Sequence, residues 1–171
     1  MTRYAFIFLI LSLGFLSSHT NAEESLTSER VVIQDFVKGS LEDIKEQYQG
    51  KPFILSFWSI DCTYCFDEMK MFSSLKEKYP DLQVVLVSTD INLDDETVHK
   101  ILDDTGFEAE EVWVFADEVP ERLYAEVDEN WRGELPNTLF MNSKHEFQSV
   151  TGEVKPELVE KWLQYLKKEN T

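Results

Sequence analysis

The sequence predicts an α/β protein in which a central mixed β-sheet is flanked by helices on both faces. Three observations carry that expectation. Short apolar runs alternate with segments whose apolar residues recur at helical spacing. Two of the runs, Phe53–Trp58 and Val84–Val87, are nearly continuous, as in strands buried on both faces. Near the C-terminus two runs follow each other with only a turn between them, which is a hairpin rather than a crossover.

Each element has its own signals. Glu23 to Arg30 is polar and reads as a flexible lead-in to a first strand at residues 31–37, opening with Val31-Val32-Ile33. Ser40 with Asp43 resembles a capping box for a short helix from Leu41 to Tyr48, closed by Gly50. The run at 53–58 then delivers Cys62 to a helix reaching about Tyr79, whose apolar residues Cys65, Met69, Phe72 and Leu75 share a face. Pro80-Asp81 ends it, and Gln83 to Thr89 forms the next buried strand. Asp94 caps a helix over 95–104 that stops at Gly106. A strand from Glu111 to Ala116 and a short helix from Val119 to Val127, with Pro120 at its start, follow. Leu135 to Met141 is a strand opening with a proline, joined by a turn at Asn142-Ser143-Lys144 to a strand from Glu146 to Thr151. Pro156 at a first helical position opens the last helix, where Leu158, Val159, Trp162, Leu163 and Leu166 form one stripe.

Residues 1–22 carry one basic side chain (Arg3), an apolar run from Tyr4 to Leu16, and a small-polar stretch ending Thr20-Asn21-Ala22. That is the pattern of a secretory signal peptide cleaved after Ala22, and the run is short against the roughly 20 residues of a membrane span. An uncleaved N-terminal anchor is the alternative; a lipoprotein anchor is excluded, because no cysteine lies near Ala22. Removing 22 residues from 171 leaves 149, one domain able to bury its own core. The leader holds one of the 16 basic residues and none of the 33 acidic ones, so the formal charge moves from −17 to −18 on cleavage. A field of that sign repels phosphate backbones, so no nucleic-acid or anionic membrane-surface partner is expected.

The two cysteines, Cys62 and Cys65, are three positions apart. A disulfide between them closes a tiny loop and would stabilise little. A zinc site wants four ligands, yet no second cysteine pair exists and only His99 and His145 remain after the leader. Redox chemistry is the reading that survives. Cys62 stands where a buried strand gives way to a helix, and the unpaired amides and dipole of that helix start favour an anionic sulfur, making Cys62 the attacking thiolate. Cys65, one turn further and more buried, would resolve the mixed disulfide. Asp61, directly before Cys62, would oppose the thiolate if it pointed inward and is ordinary if exposed.

Phe57-Trp58, the Cys62-Thr63-Tyr64-Cys65 motif, Glu68 three residues beyond it and Leu135-Pro136 opening a strand together resemble the thioredoxin-like superfamily, and within it the TlpA/ResA-type periplasmic thiol-disulfide oxidoreductases. The resemblance covers nearly all of the chain from about Val31 and implies a thioredoxin-like domain over residues 31–171, its final helix ending near Leu166. It implies a protein-disulfide reductase, with Cys62 and Cys65 as redox-active disulfide and no other cofactor. Protein disulfides of cytochrome c maturation or another envelope pathway would be substrates of a monomer re-reduced by a membrane electron donor of the DsbD kind. Glu68 would modulate the pair or handle protons. Pro136 would be the superfamily's cis-proline, setting Leu135 beside the cysteines to pair with a docked chain, while Trp58, Thr63 and Tyr64 would border the site.

Departures from the pattern matter too. Ser56 replaces the buried acid that thioredoxin uses as a proton relay, and Lys70 stands where many members have a helix-kinking proline. Tyr64 resembles the disulfide isomerases, although Glu23 to Arg30 is too short for their N-terminal dimerisation domain. Isomerase or oxidase activity is therefore the secondary reading. Met69, Met71, His99 and His145 suggest a rival from another class, a non-enzymatic copper-handling or partner-binding module, although methionines on an amphipathic helix usually belong to the core.

Overall fold

The computed structural model describes residues 30–169; the expected leader and the stretch behind it, residues 1–29, lie outside the described residues. The described residues form six strands and five helices in the order β1 (Ile33–Phe36), α1 (Ser40–Gln47), β2 (Phe53–Trp58), α2 (Thr63–Lys78), β3 (Val84–Ser88), α3 (Asp95–Thr105), β4 (Glu111–Phe115), α4 (Pro120–Val127), β5 (Asn137–Met141), β6 (Phe147–Thr151) and α5 (Pro156–Glu169). They form one mixed sheet in the order β1-β4-β3-β2-β5-β6. The first four strands in that order run parallel, and β5 and β6 are antiparallel additions.

Side-chain alternation along the strands builds two cores, one on each face. Phe53, Leu55 and Phe57 of β2 pack with Leu41 and Ile44 of α1 and Leu123 and Val127 of α4. Ile54 and Trp58 point the other way and pack with Cys65, Met69 and Phe72 of α2, Val98 of α3 and Val159 of α5. All six residues of β2 and all five of β3 are buried, which explains their unbroken apolar runs. Each fully buried Phe, Leu or Ile here contributes on the order of 1.5–3 kcal/mol through apolar burial.

The helix ends show where local signals held and where they did not. Asp94 caps α3 by accepting from the Thr97 amide (2.9 Å) and hydroxyl (2.8 Å), and Gly106 closes the helix at φ 62°. The capping box expected at Ser40 is absent. Gly39, at φ 97°, is the N-cap of α1, and Ser40 lies inside the helix. The Ser40 hydroxyl turns back to accept from the Val37 amide (3.0 Å), a bond that fastens β1 to α1 instead of capping it. The last strand pair is also shorter than expected: β5 starts at Asn137, after Leu135 and Pro136.

This topology fixes the site. The parallel strands β2, β3 and β4 end on the same side, and α2 starts immediately after β2. Because β5 is antiparallel to β2 with Phe57 opposite Asn137, the residues just before β5 arrive beside the loop that leads into α2.

Candidate functional site

Cys62 is the N-cap of α2, one position earlier than a first-turn placement, and Cys65 is the third residue of the helix. The two sulfurs are joined (S–S 1.99 Å, Cα–Cα 5.3 Å). Cys65 is 1% exposed, whereas Cys62 is partly exposed. The Cys65 amide donates to the Cys62 carbonyl (3.0 Å) and the Cys62 amide to the Ser59 carbonyl (3.1 Å), so the turn carrying the motif is internally closed. The sulfur at a helix N-terminus faces a partial positive charge, which favours a thiolate once the bond is reduced.

Cys62 opens onto a cleft of about 410 Å³ lined by Ser59, Asp61, Cys62, Thr63, Tyr64 and Leu135. The structure thus brings together Cys62, Thr63, Tyr64 and Leu135 from the expected set. Tyr64 is 64% exposed and projects apolar surface beside the sulfur. Pro136 is buried behind Leu135, and the peptide between them is cis. Trp58 does not border the cleft: it is fully buried, packed in the same core as Cys65 with its ring 6.4 Å from that of Phe66. A side chain at the end of a fully buried strand has no surface to offer a docked chain, so Trp58 supports the site from beneath.

Glu68 is 1% exposed and lies one turn after Cys65 on α2. Its Oε2 accepts from the Ser56 hydroxyl (2.9 Å) and the Thr138 hydroxyl (3.0 Å), and its Oε1 accepts from the Val154 amide (3.0 Å). Ser56 and Thr138 are cross-strand partners, so β2 and β5 present their two hydroxyls together to one oxygen. Burial pushes the carboxyl above the usual carboxylate range; the three hydrogen bonds pull it back and nearby Glu153 adds to the rise. Ser56 therefore marks the place where α2, not β2, supplies the buried acid of this core.

Asp90, after β3, is a further polar residue beside the motif, with no local sequence signal to mark it. Its carboxylate accepts from the Ser59 hydroxyl (3.0 Å), the Ile60 amide (2.8 Å) and the Ser88 hydroxyl (3.0 Å). Asp61 is exposed, and its amide donates to the Ser59 hydroxyl (3.3 Å). The residues considered for copper are dispersed: Met69 is in the core, His99 lines a surface pocket with Arg30, and the His145 ring meets the Tyr48 carbonyl at 3.0 Å. Among the described residues, no group of three or more His, Cys, Asp or Glu is placed to hold a metal ion.

Fold and site together define the class: a thiol-disulfide oxidoreductase-like fold, thioredoxin-like, carrying a Cys-x-x-Cys pair at a helix start. The model of the AhpC/TSA family matches residues 33–149, and the chain belongs to that family. No curated protein matches it. Solved structures match the fold. A secreted Mycobacterium tuberculosis disulfide oxidoreductase homologous to Escherichia coli DsbE superposes with a TM-score of 0.55 at 17% identity, covering 71% of this chain and 86% of that one. StoA from Bacillus subtilis gives 0.52 at 21% identity over 67% and 84%. A secreted thiol-disulfide isomerase from Corynebacterium glutamicum gives 0.58 at 16% identity over 71% and 73%.

Proposed function

We propose that this chain is an exported protein-disulfide reductase. The carrying observation is the asymmetry of the pair: Cys62 sits at a helix N-cap in an open cleft, while Cys65 is buried one turn from the buried Glu68. In the dithiol form, the Cys62 thiolate attacks one sulfur of a target disulfide, forms a mixed disulfide and releases the other target sulfur as a thiolate. Cys65, losing its proton, then attacks Cys62; the Cys62–Cys65 bond forms and the second target thiol departs. Two electrons and two protons pass to the target, and this chain ends in the oxidised state.

Glu68 is suited to the second step. A carboxyl whose pKa is raised by burial exchanges protons closer to neutral pH than an exposed one, and it lies one turn from the resolving sulfur. In its ionised form it also disfavours a neighbouring thiolate. That weakens the reduced state and makes the pair a stronger reductant, because potentials rise when the thiolate is stabilised.

The remaining parts of the reading are a cleaved leader at residues 1–22, a periplasmic location, a monomer, protein disulfides as substrates, no cofactor beyond the cysteine pair, and re-reduction by a membrane electron donor of the DsbD kind. The secreted DsbE homologue among the similar structures supports the location. No helix among the described residues is long and apolar enough to cross a membrane. The test is catalysis of protein-disulfide reduction by dithiothreitol, assayed with wild type, Cys62→Ser and Cys65→Ser. Wild type should accelerate turnover. Cys65→Ser should accumulate a mixed disulfide with its target, and Cys62→Ser should not; absence of acceleration by wild type would refute the proposal.

A further inference from the structure

Trp58, the last residue of β2, and Ser59 and Ile60, the first two of the loop leading to α2, are tied to the residues that follow β3. Trp58 carbonyl accepts from the Thr89 amide (2.8 Å) and hydroxyl (3.2 Å). Ser59 hydroxyl and Ile60 amide both donate to Asp90, through its Oδ1 and Oδ2 respectively. These bonds cross 30 and 31 positions of sequence, so they are tertiary ties and not the local turns that short polar residues usually make. Asp90 is itself aimed from below: the fully buried Ser88 donates its hydroxyl to Oδ2 (3.0 Å). From Ile60 the chain reaches Cys62 in two peptide steps of about 3.8 Å each.

We infer that Asp90 is the positioning residue of the exchange site: it holds Ser59 and Ile60 so that the cleft wall in front of Cys62 keeps a fixed place against Leu135. The inference rests on the exchange reading above and deepens it. Ser59 and Leu135 line the same cleft as Cys62, so the register between the two walls decides whether a docked disulfide reaches the sulfur in line. In-line approach of three sulfurs is more demanding than alkylation by a small, freely tumbling reagent. Displacements near one ångström at a reacting centre cost up to about 100-fold in rate.

The experiment compares two reagents on Cys62 in reduced protein, each followed to the pH-independent plateau above the thiol pKa, where changes in thiolate fraction no longer count. One is iodoacetamide; the other is a disulfide-bonded peptide. Asp90→Ala should lower the peptide plateau about tenfold or more and leave the iodoacetamide plateau within about twofold. Asp90→Asn, which keeps one accepting oxygen, should recover part of the loss. Ser59→Ala removes a partner without touching Asp90 and should show an intermediate loss, which keeps the inference testable should Asp90→Ala fold poorly. Wild-type plateaus in these variants, or equal losses with both reagents, would overturn it. A wild type that alkylates at Cys62 but does not react with the peptide would instead overturn the exchange reading, and the positioning role with it.

Discussion

Glu68 joins four parts of the fold through two oxygens, bonding from α2 to β2, to β5 and to the segment after β6. Its raised pKa has a defined consequence for stability. The folded chain holds this proton more tightly than the unfolded chain, so the contribution is fully present below the ordinary value of 4.5 and is lost as pH rises through the higher folded-state pKa. Glu68→Gln keeps the size, and the Ser56 and Thr138 hydroxyls rotate to accept from its amide. Denaturation of the oxidised proteins across pH 4 to 8, a range set by the ordinary carboxylate value, should therefore show wild type losing stability against the Gln variant as pH rises. Parallel curves would mean that the buried acid titrates normally. In the reduced protein the same substitution should lower a cysteine pKa by about one unit, equal to about 1.4 kcal/mol. At mildly acidic pH a bulky alkylating agent should label Cys62 before Cys65, since only Cys62 combines exposure with a helix N-terminus; prior labelling of Cys65 would reverse the roles.

At the scale of elements, α2 does two jobs that separate along its length. Its N-terminus holds the cysteine pair, Cys62 as N-cap and Cys65 in the first turn, and its middle is anchored by Phe72, fully buried against Phe107 with ring centroids 6.5 Å apart. Phe72→Ala should cost about 3–5 kcal/mol in chemical denaturation while leaving the order of cysteine labelling unchanged. Most elements were legible in sequence because two periodicities, near 3.6 and 2, are imposed by burial itself. Phe53–Trp58 and Val84–Val87 are apolar without a break because both faces of β2 and β3 are covered. The site was legible as far as chain order carries it: Cys62, Cys65 and Glu68 follow each other on one helix. Asp90 and Thr138 were not, because their partners lie 30 and 70 positions away. Ser56 and Thr138 left a trace as polar residues within buried strands, which need partners; only the strand register reveals that they share one. Ser40 misled because its partners lie behind it, with Gly39 free to take the left-handed conformation of the cap.

For the whole molecule, the sheet topology places the cleft and the net charge sets the field through which substrates approach. The ends of β2 and β3 and the approach to β5 converge at the cleft, and the chain around it carries a formal charge of −17. Diffusing substrates meet that field before they meet the cysteines. A disulfide peptide flanked by lysines should therefore react several-fold faster than one flanked by glutamates at low ionic strength. The difference should shrink towards 1 M salt, where the Debye length is about 3 Å. The reductant reading makes a sharper demand on the same cysteine pair. Equilibration with glutathione or dithiothreitol buffers, quenched by alkylation, gives the reduction potential of Cys62–Cys65. The account predicts a value near that of thioredoxin, about −270 mV, and a value near that of DsbA, about −120 mV, would contradict it.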